Sequence, residues 1–243
     1  VLLASYMEWG RSCVDRLVGM WAFAIHDDRT NELWLCRDPF GIKPLFIVER
    51  GDLIAFSSEI PQLLEFTTRA PNLQVMYDHL RWGHVDQTTA TCVVGINSLR
   101  AGGSRVIRCS GNPTMTEEVH FTLPRRTGDV DASYDEATAE LRRLLTRSVE
   151  LHLRSDVRVG AALSGGLDSS AIVMLMRELG GADLDLHTFS YLAVGEPFDE
   201  TRWVAEVATA ANAIRHDVLL ADVSVGDVAP AVARAQFEPF GSL

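Results

Sequence analysis

The residues best suited to chemistry lie in one stretch, Leu-Ser-Gly-Gly-Leu-Asp-Ser-Ser, at positions 163–170. Gly165 and Gly166 allow backbone amides to approach an anion closely. Asp168 is unfavourable beside phosphate alone, but its carboxylate is well placed to hold Mg2+ bound to the same oxygens. Three short hydroxyl donors lie in the same stretch: Ser164, Ser169 and Ser170. The stretch therefore predicts a phosphate-binding turn with a magnesium site at Asp168.

The elements on either side of this turn support the same interpretation. An apolar run at 157–163 predicts a strand, and the pattern over 169–179 predicts a helix. The free amides and positive dipole end of that helix would attract an anion. The stretch lacks the lysine of the G-x-x-x-x-G-K-S/T phosphate loop, so a different class of phosphate site is indicated.

The second half of the chain has the pattern of a doubly wound parallel α/β sheet. A long helix is predicted from Tyr134 to Leu153, with Ser133 and Glu136 spaced as a capping box. Strands and helices then alternate, which is typical of that fold. The strands are predicted at 157–163, 185–191 and 214–220, and the helices at 169–179, 199–212 and 225–237. The turn follows the first of these strands, where such sheets place ligands.

The first half has an α+β pattern built from hairpins. Apolar runs around turn residues predict hairpins at 20–37 and 44–57. Further elements are predicted as helices at 2–9, 13–18, 60–66 and 72–82 and a strand at 106–109. The polar, breaker-rich segment 123–133 predicts a linker. We therefore expect domains at 1–122 and 134–243, joined by residues 123–133.

Composition limits the classes of partner. The formal net charge of −11 and the isoelectric point near 5.0 disfavour general binding to nucleic acid or to anionic membranes. No apolar run reaches the ~18–20 residues that span a bilayer. The cysteines form no C-x-x-C pair and predict structural thiols in a reducing, cytoplasmic compartment. They are Cys13, Cys36, Cys92 and Cys109. Because the sequence starts without Met inside a predicted helix, we expect a piece of a longer protein.

Several motifs in order carry a family resemblance. The turn at 163–170 resembles the SGG-x-DSS signature of the ATP pyrophosphatase (PP-loop) enzymes. The first half contains LVGMWAFAI at 17–25, RDPFGIKPL at 37–45 and AFSSEI at 55–60. These look like consecutive landmarks of glutamine-hydrolysing asparagine synthetase, and LHTFS at 186–190 fits the same family. The resemblance covers nearly the whole chain.

The resemblance implies a fold, a reaction and a site. An N-terminal-nucleophile (Ntn) glutaminase domain would release ammonia from glutamine, and a PP-loop domain would convert aspartate and ATP to β-aspartyl-AMP and pyrophosphate. Ammonia would then displace AMP, giving asparagine. ATP and Mg2+ are the implied cofactors, and a homodimer is a candidate assembly by analogy. Tyr191 falls where the family contacts adenine. The remaining ATP and pyrophosphate positions are Leu163, Ser164, Gly165, Gly166, Asp168, Ser169 and Ser170.

Departures from the family pattern limit what the chain is expected to do alone. The glutaminase nucleophile should be an N-terminal cysteine, whereas residue 1 is Val, so we predict no catalytic residue in this chain. Later acidic and lysine positions of the family are also absent, and we expect the chain by itself to be inactive. The cluster Arg37, Asp38, Gly41 and Lys43 is interpreted as a salt-bridged structural turn. Two alternatives stay open: a ring-closing relative that forms β-lactams or lasso-peptide macrolactams, and a non-catalytic scaffold.

Overall fold

The computed structural model of this protein divides into two compact units along the chain. The first consists of Val1–Arg126 with Pro230–Leu243, and the second of Thr127–Ala229. The residues that the structure describes are 1–85, 87–109, 114–123, 132–219 and 224–238. Most of the predicted linker, the turn at 110–113 and the last five residues therefore lie outside the described residues.

The first unit is built from two antiparallel sheets. One has the strand order β1-β2-β6-β7 and the other β4-β3-β5. The strands are β1 (Ala22–Asp27), β2 (Glu32–Arg37), β3 (Phe46–Arg50), β4 (Leu53–Ser57), β5 (Ile96–Ser98), β6 (Gly103–Arg108) and β7 (Thr114–Val119). The helices are α1 (Leu2–Trp9), α2 (Leu73–Trp82) and two 3₁₀ segments, Gly10–Arg16 and Ile60–Phe66.

Both predicted hairpins are present in this unit. Strands β1 and β2 pair from Ala22 with Arg37 to Asp27 with Glu32, and β3 pairs with β4. The turn of the first hairpin places Asn31 at a positive φ of 54°, a conformation that asparagine tolerates better than most residues. Strand β2 is buried on both faces, because Trp34 packs in one apolar cluster and the next residue, Leu35, packs with Ile47 in another. Periodicity alone missed β5 and β7.

The second unit contains a three-stranded parallel sheet in the order β10-β9-β8. Its elements are α3 (Tyr134–His152), β8 (Gly160–Ala162), α4 (Leu167–Gly180), β9 (His187–Leu192), α5 (Thr201–Ala210) and β10 (Ile214–Leu219). The predicted capping box is confirmed, because the Ser133 hydroxyl and the Glu136 carboxylate each accept the other's amide. The last helix is α6 (Val225–Gln236), and the boundary between the two units falls within it, between Ala229 and Pro230.

Two boundaries beside the candidate site differ from the predictions. Strand β8 begins at Gly160 rather than at 157, because Val157 is exposed and Arg158 pairs with Asp185 at 3.3 Å. Helix α4 begins at Leu167 rather than at 169, which places Asp168 in its first turn. Among the described residues, no helix is long and apolar enough to cross a membrane.

One face of the parallel sheet carries the core of the second unit. Ala161 of β8 and Leu192 of β9 pack there with Val173 of α4 and Val204 of α5. Arg177 fixes the far end of α4: its guanidinium donates to the backbone carbonyls of Gly181, Ala182, Ala211 and Asn212. A cation at a helix C-terminus meets carbonyls that have no partner within the helix. Arg177 therefore ties the end of α4 to the segment after α5.

Candidate functional site

The Ser-Gly-Gly turn leaves the sheet directly after Leu163. The buried Leu163 still donates its amide to the Phe189 carbonyl at 2.9 Å. Gly165 then takes a φ of +83°, and a Cβ at this position would lie 2.8 Å from Cβ of Trp203 and 3.0 Å from the Val204 nitrogen. Glycine is required here both by the backbone conformation and by the close approach of α5.

Serine hydroxyls organise the interior of the turn. The Ser164 amide donates to the Ser169 hydroxyl at 3.3 Å, and the two hydroxyl oxygens are 3.1 Å apart. The Gly166 amide donates to Ser164 Oγ at 3.3 Å, and Ser169 Oγ donates to the Gly166 carbonyl. The turn is thus held by a local network before any ligand binds, while Ser170 is half-buried in the first turn of α4.

The N-terminus of α4 offers open backbone donors. Gly166 is the N-cap, and no side chain of the described residues caps the helix there. The first amides of a helix have no partner within the helix itself, so an anion can satisfy them. This local geometry fits a phosphate group between the turn and the first turn of α4.

Asp168 lies on the exposed side of this helix turn. Within the described part of the chain, its carboxylate makes no hydrogen bond or ion pair. The described residues also contain no cluster of three or more acidic, histidine or cysteine side chains able to hold a metal ion. Mg2+ retains several waters and binds proteins through one or two carboxylates plus substrate phosphates, so a single carboxylate of this kind fits that ion.

Tyr191 lies near the end of β9, on the sheet face opposite the core. It is half exposed and in register with Val218 of β10. A cavity of about 600 Å³ is lined by Phe189, Ser190, Tyr191, His216, Asp217 and Val218. No hydrogen bond among the described residues joins Tyr191 to the turn, so the structure brings together positions 163–170 but does not connect Tyr191 to them directly.

Two residues near the turn, Asp199 and Ser190, have structural roles that the sequence reasoning did not predict, although both lie in stretches that fit the family. Asp199 accepts the amides of Gly195 and Thr201 and the Thr201 hydroxyl, fixing the segment that leads into α5. The Thr201 hydroxyl, followed by the two amides, lowers the pKa of Asp199. The second residue is Ser190, whose buried hydroxyl donates to the Leu163 carbonyl at 2.7 Å. An aspartate directly before a predicted helix can indicate a residue that binds backbone amides there, whereas a serine within a predicted strand indicates no particular role.

The cluster at Arg37–Lys43 in the first unit is a closed structural turn. The fully buried Asp38 accepts the amides of Phe40, Ile42 and Lys43. Burial acts to raise the pKa of Asp38, but these backbone donors outweigh it and hold the pKa below its ordinary value. Arg37 donates to the carbonyls of Gly41, Lys43 and Leu99 and to the Ser98 hydroxyl. Arg37 and Asp38 thus satisfy backbone groups, which agrees with a structural turn, whereas the salt-bridged part of that interpretation stays a prediction.

Three of the cysteines have the character of packing residues. All four are free thiols; Cys13 and Cys36 are buried and Cys92 is partly buried, whereas Cys109 is exposed. Burial raises the pKa of the Cys36 thiol to about 12 and also raises the pKa of Cys13 and Cys92. A thiol with a raised pKa is a poor nucleophile near neutral pH.

Comparison with known families identifies both halves of the chain. The model of a glutamine amidotransferase domain matches residues 1–117, and that of asparagine synthase matches residues 140–242. Together they cover most of the chain, in the order that the motifs predict.

Individual relatives agree with these matches. The chain is 29% identical to glutamine-hydrolyzing asparagine synthetase 3 of Bacillus subtilis, over 93% of this chain and 38% of the relative. It is 39% identical to a putative asparagine synthetase of Mycobacterium tuberculosis, over 72% of this chain and 27% of the relative. A putative Methanocaldococcus jannaschii synthetase is 29% identical, over 99% of this chain and 46% of its own length. The chain thus spans less than half the length of these relatives.

Among solved structures, a glutamine phosphoribosylpyrophosphate amidotransferase from B. subtilis is similar over 94% of this chain and 62% of its own, at 15% identity and a TM-score of 0.34. The two domain matches and the relatives, which agree over most of the sequence, carry the assignment. The chain belongs to the glutamine-hydrolysing asparagine synthetase family.

Proposed function

We propose that this chain is part of an ATP-dependent amide ligase that converts aspartate, glutamine and ATP to asparagine, glutamate, AMP and pyrophosphate. The observation that carries the proposal is the turn at 163–170, whose open helix amides and exposed carboxylate occur in a chain matched by both family domains. The three-stranded parallel sheet is then part of a doubly wound PP-loop fold, and the two antiparallel sheets are part of an Ntn-type glutaminase. The proposed domain bounds are 1–122 and 134–243.

The proposed ATP site follows the geometry of the turn. The amides of Gly165 and of the first turn of α4, with the hydroxyl of Ser170, would bind the β- and γ-phosphates. The Gly166 amide and the Ser169 hydroxyl, which donate within the turn, would join them by exchanging those bonds for bonds to phosphate. Attack at the α-phosphorus expels pyrophosphate, so negative charge builds up beside these donors. Preorganised donors that face developing charge stabilise the transition state, because they need no reorganisation during the reaction.

The other proposed positions surround this centre. Ser164 holds the turn in shape, and Tyr191 contacts adenine from the open sheet face. Leu163, a nucleotide-contacting position by the family resemblance, is buried in this structure and would act by fixing the start of the turn. Asp168 would hold Mg2+, which, when bound, neutralises charge on the departing pyrophosphate.

The proposed nitrogen route needs both domains. Aspartate supplies the carboxylate that forms β-aspartyl-AMP, and ammonia from the glutaminase domain displaces AMP. Ammonia must reach the acyl-adenylate before water does, which favours a closed path. We propose no nucleic-acid or membrane partner, a cytoplasmic location consistent with four free thiols, and a homodimer by analogy with the family.

The test uses the complete protein that carries this sequence, with ATP, Mg2+ and aspartate. We expect aspartate-dependent release of pyrophosphate and an asparagine product identified by mass with either glutamine or an ammonium salt. Asparagine from ammonium alone would restrict the proposal to the synthetase reaction and overturn the glutaminase part. Absence of aspartate-dependent pyrophosphate would overturn asparagine synthesis and favour a ring-closing or scaffold relative.

A further inference from the structure

The carbonyl that precedes the Ser-Gly-Gly turn is held by a side chain of the neighbouring strand. Ser190 is buried in β9, and its hydroxyl donates to the Leu163 carbonyl at 2.7 Å. The preceding residue of β9, Phe189, accepts the Leu163 amide at 2.9 Å. Both backbone polar groups of Leu163 are therefore fixed by consecutive residues of β9.

Fixing this carbonyl also fixes the first amide of the turn. The Leu163–Ser164 peptide is planar, so the direction of the Leu163 carbonyl sets the opposite direction of the Ser164 N–H. That N–H donates to the Ser169 hydroxyl, which also meets Ser164 Oγ and the Gly166 carbonyl. The orientation set by Ser190 is thus passed on to the network that shapes the turn.

We propose that Ser190 is a positioning residue for the phosphate-binding turn, acting through the Leu163 carbonyl and the Ser164 amide; this inference rests on the proposed ATP function. Without the hydroxyl, the buried carbonyl loses its donor, and the peptide is held only through the Ser164 N–H and its longer bond to the Ser169 hydroxyl. The turn would then present its amides to phosphate in a range of orientations, and binding of the nucleotide would weaken.

Thr188 supplies a matched control on the same strand. It lies two residues before Ser190, on the same face of β9, and is fully buried. Its hydroxyl has no hydrogen-bond partner within the part of the chain that the structure describes. Thr188→Val therefore removes a buried hydroxyl of the same strand without removing a bond to the turn.

The first experiment measures hydrogen exchange of the complete protein without nucleotide. We expect Ser190→Ala to speed exchange of the Ser164 and Gly166 amides about tenfold, because these two amides donate within the turn network and lose that protection when the network loosens. Exchange in β10 should stay unchanged, and Thr188→Val should resemble the parent protein. Faster exchange throughout the second unit, or equal behaviour of the two variants, would overturn the inference.

The second experiment separates binding of ATP from the remainder of the reaction. In Ser190→Ala we expect the KM for ATP with Mg2+ to rise about tenfold and the KM for aspartate to change less than about twofold. Ser190→Thr, which retains the hydroxyl, should recover most of the ATP affinity. Equal changes in both KM values would overturn the inference.

Two further cases are decided by the same variants. If Ser190→Ala does not fold, Ser190→Cys retains the size but weakens the donor, and the same exchange pattern at Ser164 and Gly166 is expected. If the parent protein releases no pyrophosphate, the proposed function fails, while the exchange experiment still shows whether Ser190 positions the turn.

Discussion

Two turns of this molecule combine aspartate with glycine and use their backbone amides in opposite ways. In the first unit, the buried Asp38 accepts three amides of its own turn, and Gly41 lies within that turn. In the second unit, the exposed Asp168 accepts none among the described residues, and none of their side chains caps the helix that it begins. Similar residue types thus give a closed turn and an open one.

The position of the carboxylate relative to the turn explains the difference. Asp38 precedes its turn, so the following amides can fold back onto its carboxylate. Asp168 follows Gly165 and Gly166, inside the first helical turn, and its side chain is exposed. A turn whose amides are satisfied by its own side chain contributes stability, whereas one with open amides is available to an anion.

The largest expected effect is on the closed turn. Asp38→Ala should lower the free energy of unfolding of the first unit by about 3–4 kcal/mol, because three amides lose a charged acceptor in a buried setting. Denaturant unfolding, followed by a probe in the first unit, measures this change. Asp28→Ala is the control, because its ion pair with His26 is exposed and should change stability by less than about 0.5 kcal/mol. If both variants lost the same free energy of unfolding, the buried carboxylate of Asp38 would not stabilise the closed turn as described.

The next effect tests the close approach at the open turn. Gly165→Ala should destabilise the second unit by about 2–3 kcal/mol, through a positive φ and a Cβ contact of 2.8 Å with Trp203. Gly195→Ala is matched, because Gly195 has a φ of +85° and an added Cβ there would meet no described atom within 4 Å. The control should lose only about 1 kcal/mol. A loss of the same size in both variants would show that the contact with α5 is unimportant.

A smaller effect is expected at Asp168, the proposed Mg2+ ligand of the open turn. Asp168→Asn should leave stability within about 0.5 kcal/mol, because the carboxylate is exposed and bonds to none of the described residues. Affinity for ATP in the presence of Mg2+ should fall about tenfold, or about 1.4 kcal/mol. Titration calorimetry measures the ATP affinity of the parent protein and the variant. Asp183→Asn, at another exposed aspartate, is the control. Unchanged Mg2+-dependent affinity would remove Asp168 from the proposed site.

The smallest expected effect is on the stability of the first unit at acidic pH. The pKa of Asp38 is lowered in the folded state, so its ionised form contributes stability above the unfolded pKa of about 3.9. That stability is lost as the pH falls through the lower folded pKa. The denaturant concentration at the unfolding midpoint of the first unit should therefore decrease as the pH is lowered past about 4. In Asp38→Asn this decrease should be smaller. The same acid dependence in Asp38→Asn would assign it to other groups.

The sequence predicted the open turn well because its signal is local. The order of strand, glycines and helix fixes where residues 163–170 lie, and the helix start differed by two residues. Strand β7 was missed because its Thr-Met-Thr-Glu-Glu-Val sequence is polar and it pairs along one side only among the described strands, with β6. Edge strands of this kind lack the apolar run of a buried strand.

The support behind the turn could not be predicted, because it depends on contacts between elements distant in sequence. Ser190 is 27 residues from Leu163, and its hydroxyl has a role only once β9 lies beside β8. Gly165 likewise needs glycine partly because Trp203 approaches it. Such requirements arise from packing, which a periodic pattern does not specify.

The attachment of Arg177 at the far end of α4 has a mechanical consequence. Arg177 is ten residues beyond Leu167 in α4, so about 15 Å of helix separates it from the turn. A tilt of about 4° at the Arg177 end would displace the turn by about 1 Å, a distance that can alter reaction rates by about two orders of magnitude. The carbonyls bound by Arg177 therefore anchor one end of α4, and the orientation of the proposed phosphate-binding turn at the other end depends on that anchor.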